Sequence, residues 1–278
     1  PNVAAAANAT AAAAAAAAAA ANAARIAGLA SNTTVLEHRL RLNISVNVQA
    51  DHGVSMGAFV RYQSTDAVRG AFSGSRVWVE ASGLRLTFGN QDGAIATDGY
   101  AGAQFVGYTG GTFNSGAGLL TQSGIHQFAT GGAGLAQLAS IRYSSGDYAV
   151  SVSHQRGGHT EVAGQATFDA ITVAVGFANG VGTSRVSTLS VAYNGGSWGA
   201  AANVARIAAF TNWTINGFAD VAGGRVNGYV GRVANRNIWG LGYRYNLGGG
   251  AALAAGIERD FINAGRNTRV EVGAVFNF

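Results

Sequence analysis

The C-terminal residues 268–278 alternate between polar and apolar side chains, and this pattern limits what the chain can fold into. Val270, Val272 and Phe276 fall on one side of an extended strand, whereas Arg269 and Glu271 fall on the other. Successive side chains of a β-strand point to opposite faces, so this strand has one apolar and one polar face. A soluble protein rarely leaves such an apolar face uncovered, whereas lipid covers it in a membrane barrel. We therefore expect residues 268–278 to form a lipid-facing strand.

The composition of the chain favours membrane-spanning strands over membrane-spanning helices. Only 11% of the 278 residues are charged, against about 25% in ordinary soluble domains. No run of about 18 bulky apolar residues is present, and residues 4–24 are mostly Ala without Leu, Ile or Phe. The 42 Gly and single Pro suit strands joined by tight turns, because Pro cannot donate a hydrogen bond to a neighbouring strand. The absence of Cys excludes disulfides and thiolate metal sites.

Period-two alternation recurs along most of the chain. It is clearest over 37–49, where Leu40, Leu42 and Ile44 alternate with Arg39, Arg41 and Asn43. Further strands are predicted at 54–63, 75–81, 84–90, 138–144, 148–156, 160–168, 170–178, 185–194, 197–207, 212–221, 225–234, 237–247, 251–260 and 268–278. With one more strand expected before residue 37, the total is sixteen, and closed bacterial barrels have an even number. The prediction is a single all-β domain over 1–278, a sixteen-stranded antiparallel transmembrane β-barrel.

Aromatic residues cluster in two groups near opposite ends of the predicted strands. The group near the short turns and the C-terminus comprises Tyr143, Tyr148, Tyr193, Trp198, Tyr243, Tyr245, Phe276 and Phe278. Trp213, Trp239 and Phe261 lie near the opposite ends. Two such groups are typical of the aromatic girdles at the two bilayer interfaces. The alternative is that they are core aromatics of a soluble β protein.

An ordered set of segments resembles a known family. The segments are Arg39-Leu40-Arg41-Leu42-Asn43-Ile44, Asp51-His52-Gly53-Val54-Ser55-Met56-Gly57-Ala58, 240–251 (GLGYRYNLGGGA) and Val272-Gly273-Ala274-Val275-Phe276-Asn277-Phe278. Together they are similar to the general diffusion porins of α-proteobacteria, the Rhodobacter-type porins. The resemblance implies a homotrimer in the outer membrane, a third loop folded into the pore, and passive diffusion of small hydrophilic solutes and ions. The chain departs from that family in lacking Lys and in having few acidic residues in the third loop.

Residues 91–137 are the candidate for that inward loop. They are rich in Gly, Thr and Ser, lack alternation, and are far longer than an ordinary connection. A wide barrel passes any small solute unless something narrows it. The expected charged constriction combines acidic residues of the loop, Asp92 and Asp98, with Arg39, Arg41, Arg61, Arg76 and Arg85 across the lumen and Glu80 as a local partner. The alternatives are a rim position, with contacts to lipopolysaccharide or solvent, for the arginines and a plain turn role for the two aspartates.

The C-terminal strand is expected to close the barrel by pairing with the N-terminal strand. In the manner of the family, Phe276 and Phe278 would end this strand, and Phe278 would be the signal read by the outer-membrane assembly machinery. Lipid and lipopolysaccharide are the expected surroundings of the outer face.

No catalytic, cofactor or nucleic-acid motif is evident, so we do not expect an enzyme. Neither a nucleophile elbow nor a phosphate-binding Gly-Lys loop is present. His154 and His159 lie near Glu161, but a surface-loop role explains them more simply than a metal site. Two other classes stay open: a membrane-barrel lipase or protease, which needs Ser, His and an acid in contact, and a structural or adhesin barrel with a plugged lumen.

Overall fold

The fold is a single antiparallel sheet of sixteen strands with one short α-helix. The computed structural model describes residues 36, 38–65, 70–102, 106, 138–156, 158–179, 185–207, 210–259 and 268–277. The strands are β1 (Arg39–Gln49), β2 (Ser55–Thr65), β3 (Ala71–Phe72), β4 (Arg76–Ala81), β5 (Leu84–Gly89), β6 (Leu138–Ser145), β7 (Tyr148–Gln155), β8 (Thr160–Phe168), β9 (Ile171–Asn179), β10 (Val186–Asn194), β11 (Trp198–Ile207), β12 (Phe210–Val221), β13 (Gly224–Val233), β14 (Arg236–Gly248), β15 (Ala251–Arg259) and β16 (Thr268–Phe276). The helix is α1 (Ala94–Asp98), and a 3₁₀ turn, Asp51–Gly53, joins β1 to β2.

Each strand pairs with its neighbour in the chain, as in an up-and-down barrel. The order runs from β1 and β2 through β4 to β16, and the two-residue β3 pairs with β2 beside this path. Short turns join β4 to β5, β6 to β7, β8 to β9, β10 to β11, β12 to β13 and β14 to β15 at one end of the sheet. Several of these turns use left-handed backbone, as at Gly83 (φ 80°) and Gly223 (φ 77°), where glycine avoids strain.

The two faces of the sheet differ in chemistry. We call the face with Leu42, Val60 and Val77 the outer face, and the opposite face the inner face. Large apolar side chains are exposed on the outer face; Phe88, for example, is 64% exposed. The inner face carries small and polar residues, many of them buried, such as Ser190 and Asn203. An apolar face without protein cover, opposite a polar face, is the pattern of a wall between lipid and water.

The aromatic side chains near the short turns lie on the outer face. Tyr148 and Trp198 are both more than half exposed, and the rings of Tyr193 and Trp198 are 4.6 Å apart. Trp213 is also exposed, close to the opposite end of the sheet. These residues are therefore not the core aromatics of a soluble β protein, whereas their placement fits two interfacial girdles.

The strands agree with the sequence prediction to within about two residues at each end. The predicted alternation, which exposes Val270, Val272 and Phe276 in β16, is confirmed. Two elements were not predicted, the two-residue strand β3 and helix α1 inside the segment expected to be loop. The strand expected before residue 37, and residue 278, lie outside the described residues, and so does the pairing expected to join the two ends of the chain. No helix in the described part of the chain is long and apolar enough to cross a membrane.

Candidate functional site

The segment after β5 returns onto the inner face of the sheet at helix α1. The backbone N–H of Ala94 donates to Ser153 Oγ at 2.8 Å, and that of Ile95 donates to Glu161 Oε2 at 2.9 Å. His159 Nε2 lies 3.0 Å from the other carboxylate oxygen, Glu161 Oε1. Glu161 and Ile95 are fully buried. The first N–H groups of a helix lack intrahelical partners, so side chains of β7 and β8 satisfy them here.

The close approach of α1 to the sheet requires glycine at position 93. A Cβ atom placed on Gly93 would lie 2.2 Å from Glu161 Oε1 and 2.4 Å from Glu161 Oε2. Real Cβ atoms do not approach oxygen so closely, so any other residue would displace either the helix or the carboxylate. The hydrogen bond from the Ile95 N–H to Glu161 is therefore possible because glycine, which has no side chain, occupies position 93.

Asp98, at the end of α1, makes a two-pronged ion pair with the inner face. Arg142 of β6 donates from Nε to Asp98 Oδ2 and from Nη2 to Asp98 Oδ1, both at 2.9 Å. Gln165 Nε2 of β8 donates to the same carboxylate at 3.3 Å. The Asp98 side chain is wholly buried. Paired donors on an arginine match the two oxygens of a carboxylate, and such bonds are stronger than neutral ones.

Beyond α1 the described residues of the segment continue across the inner face. Ala101 N donates to Ser190 Oγ of β10 at 2.8 Å, and Ala101 packs among small side chains of β9, β10 and β11. Further along, Val106 packs against Tyr229 and Ile238 of β13 and β14. The described part of the segment therefore contacts strands between β6 and β14 on the inner face, and it reaches β5 where Gln91 Nε2 donates to Thr87 O.

Tyr100 lies partly buried between this segment and the inner face, with its hydroxyl oxygen shielded from solvent. It packs against a cluster that contains Ile95, Val186 and Ile207. Its hydroxyl has no hydrogen-bond partner among the residues that the structure describes. Burial first, and then the negative charge of Glu161, raise the pKa of Tyr100 well above its usual value. The phenol is therefore neutral at any physiological pH.

Arginines are concentrated on the inner face of β1 to β6. Arg39 and Arg41 lie on β1, Arg61 on β2, Arg76 on β4, Arg85 on β5 and Arg142 on β6. Each of them is paired across the strands with another inner-face residue, in the pairings Arg39–Thr65, Arg41–Gln63, Asn43–Arg61, Phe59–Arg76, Glu80–Arg85 and Arg85–Arg142. We call these six residues the arginine stripe. Five of them were predicted, and Arg142 was missed because it lies beyond the long loop in sequence.

Polar and aromatic neighbours hold the guanidinium groups of the stripe in place. Arg41 Nε donates to Gln63 Oε1 at 2.6 Å, and Arg61 Nε donates to Asn43 Oδ1 at 2.7 Å. A second kind of contact is with aromatic rings. The Cζ atom of Arg76 lies 4.2 Å from the centre of the Phe59 ring, and that of Arg85 lies 4.5 Å from the Trp78 ring. Cation–π contacts of this kind orient a guanidinium without neutralising it.

The acidic residues predicted to face the arginines divide into two kinds. Glu80 is half exposed and lies 3.7 Å from Arg85, as expected for a local partner. Asp92 interacts electrostatically with Arg61 and Arg76. Asp98, in contrast, is buried against Arg142. The structure thus brings Asp92 and Glu80 to the arginine stripe and uses Asp98 to attach α1 to the sheet.

The residues considered for catalysis or metal binding do not converge in the described part of the chain. His154 is exposed and lies 3.0 Å from Thr160 Oγ1, whereas His159 is buried beside Glu161 on the inner face. Ser153 is buried, and the Ala94 N–H donates to its hydroxyl. Among the described residues no group of three or more His, Cys, Asp or Glu side chains could hold a metal ion.

Comparison with solved structures identifies the fold. No protein-family model and no curated protein sequence matches the chain. A mutant of the Rhodopseudomonas blastica porin with five substitutions superposes with a TM-score of 0.69 at 18% identity, over 88% of this chain and 91% of that one. A triple mutant of the same porin gives a TM-score of 0.67 at 19% identity, again over 88% and 91%. A structure described as "Asymmetric conductivity of engineered proteins" superposes with a TM-score of 0.67 at 19% sequence identity. The match covers 89% of this chain and 93% of that one. The chain therefore has the fold of a sixteen-stranded porin barrel.

Proposed function

We propose that the protein is a general diffusion porin, a water-filled channel through which small hydrophilic solutes and ions cross the outer membrane. In this proposal residues 91–137 narrow the lumen, and the arginine stripe lines the remaining passage. The channel works as a homotrimer, and lipid and lipopolysaccharide surround its outer face. It carries out no reaction and holds no cofactor.

The observation that carries the proposal is the division of the inner face into two parts. From β7 to β14 the described residues of the segment pack directly on the sheet, as at Ala94, Ala101 and Val106. From β1 to β5 the inner face instead carries charged side chains that keep part of their surface exposed, such as Arg85 and Glu80, which are 37% and 43% exposed. Partly exposed charges on the inner face of a barrel indicate water rather than a packed core.

The uneven charge of the stripe suggests a preference for anions. Arg41, Arg61 and Arg76 are held by neutral or aromatic neighbours, so their positive charges persist at neutral pH. Glu80 and Asp92 offset part of this charge. A passage lined by excess charge of one sign concentrates counterions and lowers their entry barrier.

The test is the ion selectivity of single channels in a planar bilayer. Replacing Arg41 and Arg85 together by Gln removes two positive charges from the stripe, and the zero-current potential in a KCl gradient should shift toward that of a more cation-selective channel. The double variant Arg206→Gln/Arg232→Gln is the control, because it removes two charges from the outer face. Unchanged potentials in the first variant, or equal shifts in both, would exclude the stripe from the passage.

The same recordings decide among the classes of function. Stepwise conductance in triplets supports a trimeric open channel. A silent membrane, with the protein shown to be folded and inserted, would favour a plugged structural barrel. No observation favours an enzyme: Ser153, which pairs across the strands with Glu161, is buried and accepts a hydrogen bond from the Ala94 N–H.

A further inference from the structure

Positive charge on the outer face lies at one end of the sheet. Arg206, Arg232 and Arg259 are the arginines at outer-face positions of the described strands, and each lies within the last two residues of its strand. No outer-face position of a described strand carries Asp or Glu. This end is opposite the short turns and carries the long connection between β5 and β6. In bacterial barrels the longer connections are extracellular, so these arginines lie at the level of the outer leaflet.

A groove of about 860 Å³ lies on the outer face at this end, across β8 to β11. Cross-strand pairing places Val162 beside Phe177, Phe177 beside Ser187 and Ser187 beside Arg206. Arg185, immediately before β10, also lines the groove. Both arginines are exposed, and neither forms an ion pair with a described residue of the chain. One side of the groove is therefore apolar and the other carries two positive charges.

The apolar surface continues from the groove toward the middle of the sheet. The next row of outer-face residues lies two positions along each strand from Phe177, Ser187 and Arg206. It consists of Val175, Leu189 and Val204, which are paired across the strands. Their exposed fractions are 40%, 51% and 41%. Trp213 pairs with Val204 and stands directly opposite Arg232. A ligand with an anionic head at the two arginines could therefore lay an apolar chain along this row.

We propose that this groove binds an acyl lipid with a phosphate headgroup, the glycolipid of the outer leaflet. Arg185 and Arg206 bind the phosphate, because guanidinium groups donate paired hydrogen bonds to phosphate oxygens. Phe177, Leu189 and Val204 contact the acyl chain. Charge complementarity selects this occupant over a second copy of the chain, because the described outer-face strand positions offer no carboxylate to meet the two arginines. The proposal does not depend on conduction through the barrel.

The experiment measures lipid binding to the folded protein by native mass spectrometry. Protein in an uncharged detergent is titrated with diphosphorylated lipid A, with phosphatidylcholine and with inorganic phosphate. The variant Arg185→Gln/Arg206→Gln should bind lipid A about thirtyfold more weakly, since each basic side chain near an anionic headgroup contributes roughly a fivefold factor. Phosphatidylcholine should bind equally weakly to both proteins, and inorganic phosphate should fail to displace lipid A.

The matched control is Arg232→Gln/Arg259→Gln, which removes the same charge from the outer face but outside the groove. It should retain lipid A binding, and both variants should keep the wild-type circular dichroism spectrum and thermal unfolding midpoint as a check of folding. Undiminished binding in the groove variant would overturn the proposal, and so would equal losses in the two variants, which indicate diffuse attraction. A change in oligomeric mass in the groove variant without loss of lipid would assign the groove to a second copy and also overturn it.

Discussion

Asp98 and Glu161 show how a buried carboxylate can attach a loop to a sheet. Asp98 accepts hydrogen bonds from Arg142 and Gln165, and Glu161 accepts one from the backbone of Ile95 and lies against His159. Burial of a charge is costly unless it is paired and hydrogen-bonded, and both carboxylates meet that condition. From the sequence, Asp98 was expected to line the water-filled passage. Nothing in the polar residues around it indicates that Arg142, more than forty residues away, pairs with it and that it is buried.

Tyr100 gives a residue-scale prediction about alkaline pH. Its pKa in the folded protein lies above the ordinary value of 10.0. Its contribution to stability is therefore complete below about pH 10 and is lost as the pH rises toward the folded pKa, at about 1.4 kcal/mol per pH unit. The chain has no Lys, so the other groups that ordinarily titrate near this pH are the remaining eight of its nine tyrosines. Thermal unfolding followed by circular dichroism should show a lower midpoint at about pH 11 than at about pH 9.

The variant Tyr100→Phe should lose most of this alkaline sensitivity. Tyr148→Phe should keep it, because Tyr148 is exposed on the outer face and its removal leaves the Tyr100 hydroxyl unchanged. An equal drop of the midpoint in all three proteins would show that Tyr100 is not the group responsible.

At the scale of elements, the strands were predictable and the packing of the segment was not. Alternation over β1 or β11 reports directly which side chains lie on the outer face, because the apolar face is repeated at every second residue. Helix α1 spans five residues and carries no comparable repeat. Its position depends on contacts with β7 and β8 that are more than fifty residues away, as between Ala94 and Ser153. Long-range contacts of this kind leave no local pattern in a sequence.

Small side chains on β10 and β11 allow the backbone of the segment to approach the sheet. Ala101 packs against Ala192 and Ala201, and a Cβ atom on Gly102 would lie 2.8 Å from that of Ala201. We predict that Ala201→Leu overfills this contact, at a cost of about 1–3 kcal/mol. The displaced segment should lower the single-channel conductance.

The neighbouring substitution Ala200→Leu is the control for that experiment. Ala200 pairs with Tyr193 and faces outward, so a larger side chain there meets lipid. Its conductance should match the wild type. If Ala201→Leu also conducts normally, residues 99–102 do not border the narrowest part of the passage.

At the scale of the whole molecule, the two faces carry charge differently. The inner face holds the arginine stripe and its acids, whereas the described strand positions of the outer face hold three arginines at one end and no acid. The net charge of +5 conceals this division. Alternation was enough to predict which arginines of the first strands lie on the inner face. It could not reveal the outer groove, which depends on the register of four strands.

Ion selectivity should depend on salt concentration if the stripe acts through its electric field. The Debye length falls from about 10 Å at 0.1 M to about 3 Å at 1 M salt. Anion preference, measured as the zero-current potential across a fixed concentration ratio, should therefore decrease between these two conditions. The Arg41→Gln/Arg85→Gln channel should show a smaller change. A preference that is independent of salt would point to steric selection instead.

The strictly sequential order of the strands has a consequence for how the barrel assembles. From β5 to β15 every strand pairs with its immediate predecessor and successor in the chain. Most of these pairings span a short turn or loop, so each adds little loop-closure entropy to the folding barrier. The exception is β5 with β6, which must enclose residues 90–137. The sheet can therefore grow one hairpin at a time on either side. Among the described pairings the joining of β5 to β6 has the highest contact order, and we expect it to be the slowest of them to form.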